Sequence, residues 1–592
     1  MKKYIIKIGL LFFATFLFLS CNDEFLERYP LDKVSNETYW SSENDLLVYN
    51  NLLYNYAMDD NKVPIMLGNS ETDYARRYGI LCMDGFTDNT APRHSRHDRF
   101  SQVRAGKHVV PTGAPEWFGY KGFDFVRAIN VGLDHYQNAD IAQSVIDKYA
   151  GEAYLFRGWF YGEKVFKFGD VSWMGSELNI DSEELFAPRT PRNEVMDSVL
   201  VDLNLACEKL PNDWGDGNEP GRLNRWCALA VKTRYCLYEG TWRKYHGGPN
   251  ADMWLQEAAD AAKDLIENGP YSIFTTGDPY HDYNSYHRTP DITGNPEVIY
   301  YRKYVLGQMV NSMQIYLKEY LGGATKSVVE DYLCTDGLPI TLSPLYKGDA
   351  VFEDLFENRD PRLRQTVLHP ADVAFYEFGN NAPYSYPRLL GMSGGLTSSS
   401  GYSIIKIYNN DEAYARNGLS PGITLRLAET LLSYAEAKAE LGNITQADLD
   451  MSINKLRDRV AMPHMTLDVP MDPRYANDGV SALIVEIRRE RRLEMFLEGL
   501  RMEDLKRWKQ GRKLILPDMG MRWDAAAKAK YDPDGKVTMK SSIDPVLGIE
   551  YIDIYKGTSW EGPVFDENKH YFWPIPLRII TQNTNIKQNP GW

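Results

Sequence analysis

Two stretches of the chain interleave aromatic rings with hydrogen-bonding side chains, a mixture suited to a ligand that has flat apolar faces as well as many polar groups. Between Gly79 and Pro115 stand Asp84, Phe86, Asp88, Asn89, Arg93, His94, Arg96, His97 and Arg99, punctuated by Gly85, Pro92, Gly106, Pro111 and Gly113. The second stretch reads Tyr280-His281-Asp282-Tyr283-Asn284-Ser285-Tyr286-His287-Arg288, with Tyr320 further on. Irregular loops of this length inside a folded body are uncommon and are often functional. The pattern predicts that Phe86, Tyr280, Tyr283 and Tyr286 stack on ligand, with Tyr320 beside them, while Asp84, Asn89 and His94 hydrogen-bond to it.

Covalent chemistry is less well supported. Gly391-Met392-Ser393-Gly394-Gly395 matches the G-x-S-x-G pattern, but that nucleophile needs a strand feeding a sharp turn into a helix. The next residues are Leu396-Thr397-Ser398-Ser399-Ser400-Gly401, a glycine and serine loop. Asp532-Pro533-Asp534-Gly535 begins like a calcium loop and lacks the later ligands, so it reads as a turn. The cysteines Cys21, Cys82, Cys207, Cys227, Cys236 and Cys334 match no zinc spacing. Cys227 and Cys236 are nine residues apart in a helical stretch, on opposite sides of its axis, and cannot bridge. The cysteines after Cys21 therefore read as small core residues. No catalytic residue, metal or cofactor is assigned.

The first residues carry a different chemistry. Lys2, Lys3 and Lys7 precede an apolar run from Ile8 to Leu19, too short to span a bilayer. The run ends in Phe18-Leu19-Ser20-Cys21, which resembles the lipobox of bacterial lipoproteins. The expectation is a signal peptide over residues 1–20 that is removed, and lipid attachment at Cys21, with several acyl chains giving stable anchoring. Asp23 and Glu24 behind it resemble the signal that sends some Gram-negative lipoproteins to the outer face of the outer membrane. The formal charge of -15 becomes more negative still once those three lysines leave, the opposite of what a nucleic-acid surface needs.

These residues need a scaffold, and the periodicity supplies a helical one. Helices are expected at Glu43–Tyr56, twice between Trp117 and Phe168, and at Asn193–Leu210, Arg222–Tyr245, Met253–Glu267 and Thr325–Cys334. Another pair comes from Leu425 onward and over Gln446–Val460, with a short strand at Tyr402–Tyr408. Small residues such as Ala228, Ala230, Ala258, Ala259, Ala261 and Ala262 suggest stacked helical hairpins of tetratricopeptide type. The helix from Gly479 carries Glu490, Arg491 and Glu494 where its apolar stripe should continue; alternating charges there read as a buried ion network.

Ile487-Arg488-Arg489-Glu490-Arg491-Arg492-Leu493-Glu494, then Phe496, Glu498-Gly499, Arg501 and Asp504-Leu505-Lys506-Arg507-Trp508, resemble the C-terminal signature of the SusD/RagB family of nutrient-binding lipoproteins. Gly151-Glu152-Ala153, Phe168-Gly169-Asp170-Val171, Asp336-Gly337, Asn358-Arg359-Asp360-Pro361-Arg362, Tyr434-Ala435-Glu436-Ala437, Tyr571-Phe572-Trp573-Pro574-Ile575-Pro576 and the closing Gln588-Asn589-Pro590-Gly591-Trp592 are similar to that family's landmarks in the same order. The resemblance implies a mostly α fold: tetratricopeptide-like hairpins, a loop-rich ligand-binding side and few short strands. It implies one body over 21–592, with an N-terminal part 21–270 and a C-terminal part 271–592. It further implies a lipid-anchored protein of the cell outer membrane that binds a glycan without cleaving it. The glycan would pass to a SusC-like TonB-dependent transporter. A peptide-binding RagB-like member and a surface glycoside hydrolase are the alternatives, the latter because 81 acidic residues offer carboxylate pairs by chance.

Overall fold

The structure is a computed structural model that describes residues 39–58, 80–92, 98–114, 119–314, 317, 322–372, 387–392, 397–409 and 418–592. Cys21, His94, Tyr320 and Ser393 lie outside the described residues.

The chain folds mostly into helices, laid side by side in antiparallel pairs. Helix α1 (Glu43–Met58) and α2 (Phe123–His135) pack on α3 (Gln143–Phe168), which runs along α4 (Arg192–Lys209). Next, α5 (Arg225–His246) pairs with α6 (Ala251–Asn268). The Asn224 side chain accepts from the Cys227 amide to start α5, and Gly247 closes it in the left-handed conformation (φ 86°). The buried Ala258, Ala259, Ala261 and Ala262 let the α6 backbone approach its neighbours, as their spacing predicts.

Gly240 sits where α5 and α6 touch. A Cβ there would lie 2.9 Å from the Leu255 amide nitrogen and 2.8 Å from Leu255 Cγ. Alanine would gain about 1 kcal/mol of helix propensity. Overpacking against a backbone atom loses about 1–3 kcal/mol. Gly240→Ala is therefore expected to lower stability by about 1 kcal/mol net, checked by urea denaturation; a stabilised variant would show that α6 can move away.

Downstream, β1 (Val298–Arg302) pairs antiparallel with β2 (Gly422–Arg426), Val298 opposite Arg426, and every residue of both strands is buried. β2 runs directly into α7 (Leu427–Glu440), which lies against α5, α6 and a later helix. The single helix expected over Gln446–Val460 is two: α8 (Gln446–Met451), opened by a Thr445/Asp448 capping box, and α9 (Ile453–Arg459). They part at Ser452, whose backbone leaves the helical region (φ -122°, ψ -98°) and whose hydroxyl donates back to the Asp448 carbonyl. The helix expected at Thr325–Cys334 is present but shorter, over Lys326–Asp331. Tyr402–Tyr408 forms no strand; Ile404 makes an isolated bridge to Val367. Helices α10 (Ala482–Glu494) and α11 (Arg501–Arg507) come next. A small sheet of β3 (Met519–Arg522), β4 (Lys540–Ile543) and β5 (Glu550–Asp553), in the order β3-β5-β4, completes the body. The final segment returns to α3: Asn589 donates to the carbonyls of Phe168 and Trp573.

Cys227, Cys236 and Cys334 are buried free thiols and Cys207 is half-buried; burial pushes Cys207 and Cys227 up to about 12. Among the described residues, no helix is long and apolar enough to cross a membrane.

Candidate functional site

From Val485 to Glu494 helix α10 is buried all round although charged residues fill most of that stretch. The 100° step per residue sorts them into three stripes. Arg488 and Arg491 face α7 and α11, where Arg488 Nη2 donates to Glu440 (3.0 Å) and Arg491 Nε to Asp504 (3.0 Å). Arg489 and Arg492 turn to the other side and meet Asp472 and Asp331, each at 2.7 Å. Glu490 and Glu494 form the third stripe. Glu490 lies 2.6 Å from Arg362 and 3.0 Å from Arg457. Glu494 accepts from Arg362 (3.0 Å), Arg426 (2.8 Å) and Arg459 (2.6 Å). Burial raises the proton affinity of Glu494, but these three guanidiniums outweigh it and hold the carboxyl well below the usual range. Just beyond the helix, Glu498 stands between Arg426 and Lys406, each 2.7 Å away, and is held at about 2. Every carboxylate is committed to a cation, so this is a scaffold network and not a catalytic pair, as the sequence leads one to expect.

The same network absorbs most of the predicted ligand residues. Asp84 is buried; one oxygen accepts from the Leu497 amide (2.7 Å) and from Asn89 Nδ2 (3.1 Å), and burial raises the carboxyl to about 6. Asn89 Oδ1 accepts from Arg492 (2.9 Å). Asp88 takes both Nε and Nη2 of Arg501 at 2.8 Å. Phe86 is packed edge-on against Phe100 and Trp573. Tyr283 has no exposed surface and donates to the carbonyls of Leu493 and Glu494, with Lys406 Nζ 4.6 Å above its ring. Tyr286 donates to Glu297 (3.0 Å). The expectation of ligand-facing side chains is thus corrected for Asp84, Phe86, Asn89, Tyr283 and Tyr286: each is interior, and a ring with no open face has nothing to stack with. Tyr280 alone of the described candidates stands in solvent, at 57% exposure. Replacing it with alanine is expected to change folding stability by less than about 0.5 kcal/mol, measured by denaturant titration; a larger loss would show that its ring packs.

An open cleft of about 340 Å³ lies elsewhere, between the turn at Asp472–Asp478 and the segment Gly511–Asp518. One lip is apolar, with Ile515 and Leu516 exposed beside Pro517. The other is polar: Arg474, Asn477, Asp478, Arg512 and Lys513. Arg512 Nη2 donates to the Asn477 carbonyl (2.7 Å), and Lys513 Nζ lies 2.8 Å from Asp478 and 4.2 Å over the Tyr475 ring. Such a mixture of apolar wall and convergent donors is the usual make-up of a small-ligand site. Most of the lining comes from these two segments, which share no motif; Asp88 of the first aromatic and polar stretch, Ser327 and Arg492 of α10 complete it, so the sequence pointed to its edge and not to its lips.

The SusD family profile matches residues 300–592, and a SusD-like protein of Bacteroides ovatus aligns over 99% of this chain and 98% of its own length at 23% identity. The chain belongs to the SusD family. Its fold agrees with crystal structures of two SusD-like proteins of Bacteroides fragilis. The first has TM-score 0.69 and 22% identity, covering 95% of this chain and all of that one. The second, described as a SusD-like carbohydrate-binding protein, has TM-score 0.67 and 21% identity, covering 93% of this chain and all of that one. In this SusD-family chain the matching motifs are framework. Arg359 of Asn358-Arg359-Asp360-Pro361-Arg362 donates to the carbonyls of Val329 and Tyr332, and Arg362 clamps Asp360 and Glu494. Glu436 of Tyr434-Ala435-Glu436-Ala437 receives Arg507 and the Trp508 indole.

Proposed function

We propose that this chain is a cell-surface lipoprotein that binds oligo- or polysaccharide and delivers it to a SusC-like TonB-dependent transporter. The observation that carries the reading is the SusD family match over residues 300–592 with a SusD-like relative aligned over 99% of the chain, together with a solved relative described as carbohydrate-binding. The Leu19-Ser20-Cys21 sequence supports anchoring by lipid at Cys21 to the outer membrane, facing outward. The cleft beside Arg474 and Arg512 supplies donors for ring hydroxyls and an apolar wall for the C–H faces of sugars. Tyr280 remains an open ring that can stack, and the segments around His94 and Tyr320 keep their proposed ligand role. The chain is proposed to bind and release its ligand unchanged.

The test compares cells carrying the native chain with cells carrying Cys21→Ala. The native chain is expected to be cut by external protease and to support uptake of a fluorescent oligosaccharide. Cys21→Ala is expected to leave the membrane fraction and abolish uptake; equal uptake by the two would contradict the anchored-delivery reading.

A further inference from the structure

The cleft between Asp472–Asp478 and Gly511–Asp518 has more positive charge than the chain around it. The protein has a formal charge of -15, yet the cleft lining sets Arg474, Arg492, Arg512 and Lys513 against Asp88, Asp478 and Asp518. Arg474 is taken up by Asp472 and Asp331, and Arg492 by Asp88 and Asp331, which leaves Arg512 and Lys513 to the cleft. Asp478 is the carboxylate within 4 Å of both Arg512 (3.2 Å) and Lys513 (2.8 Å), so two cations share one negative charge. The Arg512 side chain is half exposed, and among the described residues only its Nη2 has a protein partner. A recess of about 20 Å³ adjoins the cleft and is lined in part by Tyr475, Asp478, Arg492 and Lys513 as well as by Arg488. That volume holds one water or one ligand oxygen. Arg488 is 6% exposed and its guanidinium lies over the Tyr245 and Trp508 rings (5.0 and 4.6 Å), but its Nε and Nη1 have no hydrogen-bond partner among the described residues. Its one carboxylate, Glu440, is shared with Lys244. Buried N–H groups left unpaired lose about 1–3 kcal/mol each, so a donor pair of this kind is ordinarily matched by water or an anion.

We infer that this cleft takes an anionic glycan, the carboxylate or sulfate of an acidic sugar meeting Arg512 and Lys513 while Leu516 covers an apolar ring face. A planar carboxylate, or two oxygens of a tetrahedral sulfate, can accept bidentately from a guanidinium, and sugar C–H faces suit the opposite lip. Neutral sugars of the same shape leave the shared cations unmatched. The inference rests on the carbohydrate-binding reading and narrows it to a ligand class.

The full chain, purified in detergent, is titrated calorimetrically with matched glycans. Oligogalacturonate is set against its methyl ester, chondroitin sulfate against desulfated chondroitin, and mannan and β-glucan serve as neutral glycans. The expected result is at least tenfold tighter binding of one acidic member than of its neutralised partner, weakening as salt rises. Which pair responds tells carboxylate from sulfate. Arg512→Gln is expected to remove that discrimination and Leu516→Ser to weaken both members of the pair, with the unfolding midpoint of each variant unchanged. Equal affinity for acid and partner, or discrimination that survives Arg512→Gln, overturns the inference. Binding of neutral glycans alone overturns it and leaves the carbohydrate-binding function standing; binding of none overturns both.

Discussion

Replacing Glu494 with alanine is expected to destabilise the protein by about 3–5 kcal/mol, the range for breaking a buried ion pair from one side. Glu494 has no exposed surface, and its oxygens accept from Arg362, Arg426 and Arg459, each of which is buried within about 1% of fully. Asp360, Glu490, Glu297 and Glu498 share those guanidiniums and would retain part of the pairing. They cannot replace a carboxylate set between three cations that remain in low dielectric. Against a usual domain stability of about 5–15 kcal/mol, the loss is a large fraction of the whole. Glu494→Gln keeps the shape and one acceptor oxygen, so its loss should be smaller. Glu194→Ala, on the exposed face of α4, should stay within about 0.5 kcal/mol. Denaturant midpoints for the three variants check the order; a near-neutral Glu494→Ala would show that the network is dispensable.

The second large effect is acid unfolding. Glu498 is held at about 2, below its ordinary 4.5, because Arg426 and Lys406 outweigh its burial. A depressed carboxyl stabilises the fold above its unfolded value and loses that stabilisation as pH falls through the folded value, here between 4.5 and 2. A shift of this size is worth on the order of 3 kcal/mol. Glu494, Asp88 and Asp331, all lowered by arginines against their burial, act in the same direction. Buried His108, lowered to about 3, begins to lose its contribution below 6.5. Asp84 and Asp518 have the opposite sign: burial raises both to about 6, so their stabilisation is full below 3.8 and fades as pH rises through 6. Of the groups named, two carboxyls lose between about pH 4.5 and 6 while one imidazole gains, so stability peaks near pH 4.5, declines modestly up to about pH 6 and falls steeply on the acid side. Urea unfolding from pH 2 to 8 measures this. A stability that is level down to pH 2 would contradict the assignment.

The range of each interaction decides how much of the fold and the site is readable from sequence. Helix α10 is legible as a charged buried helix because its spacing stays helical while its residue types do not suit either solvent or an apolar core. The hairpin of α5 and α6 is legible to within a few residues because alanines and leucines recur at helical intervals and Gly-Pro ends the run. The break at Ser452 is not, since it depends on one serine hydroxyl bonding back to Asp448. Asp84 and Asn89 read the same whether they face a ligand or a buried arginine. Their partners, Leu497 and Arg492, lie some four hundred residues away, and only the folded chain brings them together. Tyr402–Tyr408 looks like a strand, yet Lys406 within it spends its ammonium on Glu498 and the Glu494 and Phe496 carbonyls. The lips of the cleft are invisible for the same reason: Arg474 and Arg512 converge from separate segments, and Asp88 and Arg492 reach only its edge.

Carbohydrate binding by this SusD-family chain is checked by calorimetric titration of the purified chain against plant, host and microbial glycans and a mixed peptide pool, with product analysis of each mixture. Saturable binding to one glycan class, with the glycan recovered intact, is the expected result. Saturable binding confined to peptides, or steady loss of the glycan, would contradict it.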